Sequence, residues 1–158
     1  MDICQVFDEK LVAIRLTESC AEDAIRHLTG LLRRHGYVAE PYAAAVLERE
    51  KEFPTGLPTE PFGVALPHAD SEHVLKTGIA VGILSEPLSF RVMGSSDESV
   101  DVRLIFLMAI REPELLIQTL QSLAQAFHRP DVLERLSTAS SPSEVVGILS
   151  TELAAAPK

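Results

Sequence analysis

Val-Arg-Leu-Ile-Phe-Leu-Met-Ala-Ile, residues 102–110, leaves almost no position for water. A strand this apolar belongs in the middle of a sheet, with packing on both faces. Thr-Gly-Ile-Ala-Val-Gly-Ile-Leu at 77–84 reads as a second buried strand. Outward from these two, residues 11–16, 63–66 and 88–92 read as further strands. Ser19-Cys20-Ala21-Glu22 has the form of a capping box. It predicts a helix with Ile25, Leu28, Leu31, Leu32 and His35 on one stripe, ended by Gly36. Residues 42–52 read as a helix after Pro41, and 53–62, with three prolines and a glycine, as an ordered loop. Pro113 opens a helix with Leu116, Leu120, Leu123 and Phe127 at helical spacing. A short helix follows around 131–137. Ser141-Pro142-Ser143-Glu144, another capping box, starts the last one. Buried strands flanked by helices predict an α/β fold, a three-layer α/β/α sandwich on a mixed sheet of about four to five strands. One domain over residues 1–158, with a core of about 5–153, is expected.

Composition removes several function classes. The chain has 158 residues and a formal net charge of −9, and its 14 Lys and Arg form no run. Nucleic acid and anionic membrane surfaces are poor partners for it. There is no Trp, which argues against stacking platforms for bases. No apolar stretch reaches the ~18–20 residues of a membrane span. The start, Met1-Asp2-Ile3-Cys4, lacks the features of a signal peptide. Cys4 and Cys20 fit no metal spacing. A reduced, cytoplasmic protein is expected.

The chemistry concentrates at Gly63-Val64-Ala65-Leu66-Pro67-His68. This short apolar run ends in a proline that fixes its own φ and holds Leu66 extended. It delivers an imidazole to a sheet edge on a stiff mount. Asp70, Ser71, Glu72 and His73 follow. His27, His35 and His128 read as surface or boundary histidines. Zinc is one option for His68, Asp70, Glu72 and His73, but their spacing suits no regular element, and no metal or other cofactor is expected. There is no nucleophile elbow and no phosphate loop.

A phosphoryl-carrying histidine is the other option. It needs a neutral ring with one nitrogen free and the other held. It also needs donors around the phosphoryl oxygens, because catalysis there is positioning plus charge stabilisation. Arg49 is a natural donor, since a guanidinium forks onto phosphate oxygens. Backbone amides from Ala69 through Asp70 to Ser71 are further candidates. Arg49 also reads as one end of a solvated charged helix.

Leu47-Glu48-Arg49-Glu50-Lys51-Glu52-Phe53-Pro54-Thr55-Gly56, followed by Gly63-Val64-Ala65-Leu66-Pro67-His68, resembles the enzyme IIA domain of the mannitol/fructose/nitrogen class. These domains belong to the bacterial phosphoenolpyruvate-dependent sugar phosphotransferase system. Leu123-Ala124-Gln125-Ala126-Phe127 and Pro130-Asp131-Val132-Leu133 fit the same pattern, so the resemblance spans roughly residues 5–150. The Glu52–Gly56 run and the second histidine five places after the first are most similar to the galactitol-type branch. The resemblance implies that His68 accepts phosphate at Nε2 from the phosphocarrier protein HPr. It then passes the group to a cysteine of a cognate IIB component. It makes Arg49 the phosphoryl clamp. Thr55 reads either as a phosphoryl-binding hydroxyl near the site or as part of a simple turn with Gly56, and Glu50 as an ion-pair anchor for Arg49.

In one respect the chain departs from the family. Mannitol- and nitrogen-type members carry a second histidine at the start of the helix after the central strand, and here Leu115 or Leu116 stands there. His73 is the candidate replacement; it also reads as a surface histidine. Two other functions remain open on sequence grounds: a phosphorylation-dependent regulatory module of the nitrogen type, and a His-based metal protein.

Overall fold

In the computed structural model, which describes residues 3–155, the 102–110 run lies in the middle strand of five. The elements run β1 (Phe7–Leu16), α1 (Ala21–Arg34), α2 (Tyr42–Glu52), β2 (Gly56–Leu57), β3 (Gly63–Ala65), β4 (Gly78–Arg91), β5 (Ser99–Ala109), α3 (Pro113–Ala126), α4 (Pro130–Ser137) and α5 (Pro142–Ala155). Short 3-10 turns occupy Ile3–Val6 and Ser71–His73. The sheet order is β1-β4-β5-β3-β2. β4 pairs antiparallel with β5, while β1 on β4 and β3 on β5 are parallel. This is the mixed sheet of a three-layer sandwich.

Alternation along β5 explains the layers. Leu104, Phe106 and Met108 share one core with Leu115, Leu123 and Phe127 of the α3 segment and with residues of α4 and α5. Ile105, Leu107 and Ala109 share the other with Ile25, Leu28 and Leu32 of α1 and Tyr42 and Val46 of α2. Every one of these β5 side chains is fully buried, as a strand covered on both faces requires.

Several boundaries differ from the sequence expectation. β1 begins at Phe7, four residues earlier than expected. The strands expected at 77–84 and 88–92 are one strand, β4, whose register with β5 shifts between Ile83 and Leu88. The 53–62 loop contains the two-residue strand β2. The box at Ser19 does not form, because Cys20 is the N-cap and makes no side-chain capping bond. The box at Ser141 does form in part. Ser141 Oγ accepts the Glu144 amide at 3.2 Å, but Glu144 reaches back to the amide and hydroxyl of Ser140.

Gly36 ends α1 as expected, and the geometry gives the reason. Its φ is +81°. Its amide bonds to the Arg33 carbonyl at 3.0 Å, and the next amide, of Tyr37, to Leu32 at 2.9 Å. That pair of bonds is the glycine-terminated helix end in which two orphan carbonyls are satisfied. Gly36→Ala therefore forces a side chain into the left-handed region. The expected cost is about 1 kcal/mol, read as a lower urea midpoint with an unchanged slope.

Candidate functional site

The parallel pairing of β3 with β5 carries the chain from Gly63 to His68. Gly63 sits so close to its neighbour that a Cβ there would come within 2.8 Å of Val100 and 2.9 Å of the Asp101 carbonyl. Beyond β3 the chain keeps to β5: the Met108 amide donates to the Pro67 carbonyl at 3.0 Å, and His68 forms an isolated bridge with Met108. Pro67 offers no N–H, so its carbonyl alone makes this tie. The imidazole is thus set beside the fully buried C-terminal half of β5.

The His68 ring is half-buried. Its Nδ1 lies 2.9 Å from the Leu66 carbonyl. A carbonyl only accepts, so Nδ1 carries the proton and donates. In the neutral ring this leaves Nε2 with a free lone pair. Burial pushes the His68 pKa below its ordinary 6.5; the Leu66 bond opposes that, the Arg49 charge adds to it, and Asp70 opposes it. The net direction favours the neutral ring.

Arg49 lies in the last turn of α2. Its guanidinium stacks over the Phe53 ring, 5.3 Å from the centroid. It reaches Asp70 at 3.7 Å, but that carboxylate is 92% exposed, so the pair contributes little stability. Arg49 Nε is buried and has no protein partner. The cation is held in place with donor capacity to spare. Glu50 does not anchor it, contrary to expectation.

Glu50 instead holds Thr55. The Thr55 amide donates to one carboxylate oxygen at 3.0 Å and its hydroxyl to the other at 2.9 Å. The Leu66 amide donates to the Thr55 hydroxyl at 3.1 Å. Thr55 is buried and its hydroxyl proton is already committed, so a direct phosphoryl contact from Thr55 does not fit. Burial raises the Glu50 pKa, against the two Thr55 bonds and Arg91.

The residues after His68 divide in the same way. The Ala69 amide is taken: it donates to the Tyr42 hydroxyl at 3.2 Å. Asp70 and Ser71 are exposed at the entry to the 3-10 turn. His73 is half-buried, and its Nε2 lies 4.0 Å from a Glu72 carboxylate oxygen. Among the described residues it makes no hydrogen bond to His68. Leu115 is buried and Leu116 packs on the core, so neither supplies a polar group. Among the described residues no three His, Cys, Asp or Glu side chains converge to hold a metal.

Tyr42 escaped the sequence reading. It is fully buried, and its hydroxyl donates to the Met108 carbonyl at 2.6 Å while accepting from Ala69. Its pKa is pushed up to about 12, chiefly by burial. One phenol therefore clamps the residue after His68 onto the residue beside it in β5. Its partners lie 27 and 66 positions away, so no local signal announces it.

Residues 5–152 match the family described as "Phosphoenolpyruvate-dependent sugar phosphotransferase system, EIIA 2". A fructose-specific EIIA component of Haloferax volcanii is 30% identical over 150 residues, 94% of each chain. A galactitol-specific EIIA component of Escherichia coli K12 is 26% identical over 116 residues, 73% of this chain and 77% of that one. The complex of enzyme IIAMTL and phosphorylated enzyme IIBMTL from Escherichia coli superposes with a TM-score of 0.77 at 30% identity. The match covers 92% of this chain and 97% of the other.

Two outcomes follow from the geometry. Tyr42→Phe strands a buried amide and a buried carbonyl, and should cost about 1–3 kcal/mol in urea unfolding while the fold persists. In an NMR pH titration the His68 ring should have its midpoint below 6.5, and Arg49→Gln should move it up. Above the ordinary histidine range the contribution of this ring to stability is complete. It is lost as pH falls below that range, because the unfolded chain then binds the proton more readily.

Proposed function

The chain belongs to the EIIA 2 family of the phosphoenolpyruvate-dependent sugar phosphotransferase system, and we propose that it is a phosphoryl carrier of that system, with His68 as the acceptor. The observation that carries this is the His68 ring itself. Its Nδ1 proton is held by the Leu66 carbonyl, its environment favours the neutral form, and a cation with a spare buried donor stands close by.

Nε2 attacks the phosphorus of phosphorylated HPr. The Nε2–P bond forms as the donor's bond to phosphorus breaks, and that electron pair leaves with the donor. No proton moves at Nε2. The Nδ1–H bond to Leu66 takes up part of the positive charge that the ring gains. Arg49 faces the phosphoryl oxygens, exchanging its weak exposed contact with Asp70 for a charge-assisted one. In the second step a thiolate of the IIB component attacks phosphorus, the S–P bond forms, and Nε2 recovers its pair. We assign His73 no bond in either step; its Nε2 lies 4.0 Å from a Glu72 carboxylate oxygen.

The partners are HPr on one side and a IIB component on the other. The solved IIAMTL–IIBMTL complex supports the second by likeness. The carrier works in the cytoplasm and needs no cofactor. None of its described helices is long and apolar enough to cross a membrane. The Glu52–Gly56 run and the galactitol-specific relative support a galactitol-like lineage. The sugar itself is handled elsewhere in such a system, so these residues serve phosphate chemistry alone.

With phosphoenolpyruvate, enzyme I and HPr, the chain should take one phosphoryl label, and His68→Ala should abolish it. Arg49→Ala should slow labelling about 10²-fold with little loss of stability. A label that survives His68→Ala overturns the assignment, and an unchanged rate in Arg49→Ala removes the clamp.

A further inference from the structure

Glu50, Thr55 and Leu66 form a hydrogen-bonded chain whose direction is fixed by chemistry. An ionised carboxylate only accepts. The amide and the hydroxyl of Thr55 both point to Glu50, at 3.0 and 2.9 Å. The one hydroxyl proton of Thr55 is therefore spent, and only lone pairs remain to face the Leu66 amide at 3.1 Å. Leu66 is the residue whose carbonyl takes the His68 Nδ1–H.

The backbone shows why a side chain is needed here. β2 pairs with β3 through Gly56↔Ala65 and Leu57↔Val64. Continuing that register sets Thr55 opposite Leu66, one step past the end of the ladder. There the Thr55 hydroxyl, and not a backbone carbonyl, receives the Leu66 amide. Both residues are buried, so water cannot substitute cheaply for the lost bond.

We infer that Thr55, seated on Glu50, is a positioning residue for His68. It fixes the Leu66 backbone, whose carbonyl keeps the ring in the Nδ1–H tautomer with Nε2 unprotonated. This rests on the phosphoryl-carrier reading for its purpose, but not for its geometry. Thr55 touches neither the ring nor the transferred group; it acts through one peptide segment.

Three variants test this: Thr55→Val, which keeps the shape and removes the hydroxyl; Thr55→Ser, which restores it; and Glu50→Gln, which puts a donor where two acceptors are needed. Long-range proton–nitrogen NMR of the unphosphorylated protein reads the His68 tautomer directly. Labelling from phospho-HPr reads the consequence, and circular dichroism and urea unfolding confirm that each variant is folded under assay conditions. Wild type and Thr55→Ser should show His68 as the Nδ1–H tautomer. Thr55→Val should populate the Nε2–H tautomer and label at least about tenfold more slowly. Should Thr55→Val fail to fold, Glu50→Gln carries the same expectation. A folded Thr55→Val or Glu50→Gln protein with the wild-type tautomer and labelling rate overturns the proposal. A wild-type chain that takes no label overturns the carrier reading instead, since the tautomer is read without any transfer.

Discussion

A single hydrogen bond, 2.9 Å from His68 Nδ1 to the Leu66 carbonyl, decides which nitrogen of the ring can react. Much of the surrounding fold serves to keep that carbonyl still. Leu66 is gripped through its amide by Thr55. Pro67 is tied to β5 through the Met108 amide. Ala69 is tied to the Met108 carbonyl through Tyr42. Three successive backbone ties therefore surround one imidazole. Two of them end on Met108, which is fully buried in the middle strand of the sheet.

The electrostatics around this mount are divided by depth. The inner ionisable groups, half-buried Glu50 and buried Tyr42, have their polar atoms bonded to neighbours and hold the backbone in place. The exposed ones, Asp70 and Glu72, sit where water screens them. Arg49 lies between the two sets. Its guanidinium rests on Phe53 and leans on a solvated carboxylate, while its Nε is left unpaired inside. A doubly charged phosphoryl group would meet a nearby cation. The carboxylates that could repel it stand in solvent.

The layers of the fold were legible because they depend on local pattern. An apolar run at 102–110 has only one stable place, and helices with clear stripes on either side complete the sandwich. Details that depend on geometry were not. Ser19 has the right residue three positions before Glu22, yet Cys20 takes the extended N-cap position and the box is lost. Residues 77–84 and 88–92 read as two strands, but the long β4 joins them through a register shift. At the site, His68 and Arg49 stood out because a Pro-His strand end and an Arg-Glu helix end are sequence-local features. Thr55 reads from sequence as a phosphoryl contact, because its partners Glu50 and Leu66 meet only in three dimensions. Tyr42 gave no signal, since its value lies in two backbone groups distant in sequence. Residue types alone do not tell that the His73 Nε2 stands 4.0 Å from a Glu72 carboxylate oxygen.

The central claim is that the Leu66 carbonyl, by holding Nδ1–H, directs phosphoryl transfer to the opposite nitrogen. The most direct test is nitrogen-15 and phosphorus-31 NMR of the phosphorylated protein with labelled histidine, which identifies the bonded nitrogen. The account predicts a phosphorus–nitrogen bond at Nε2 of His68, with Nδ1 still protonated. A bond at Nδ1, or on any other residue, would contradict it.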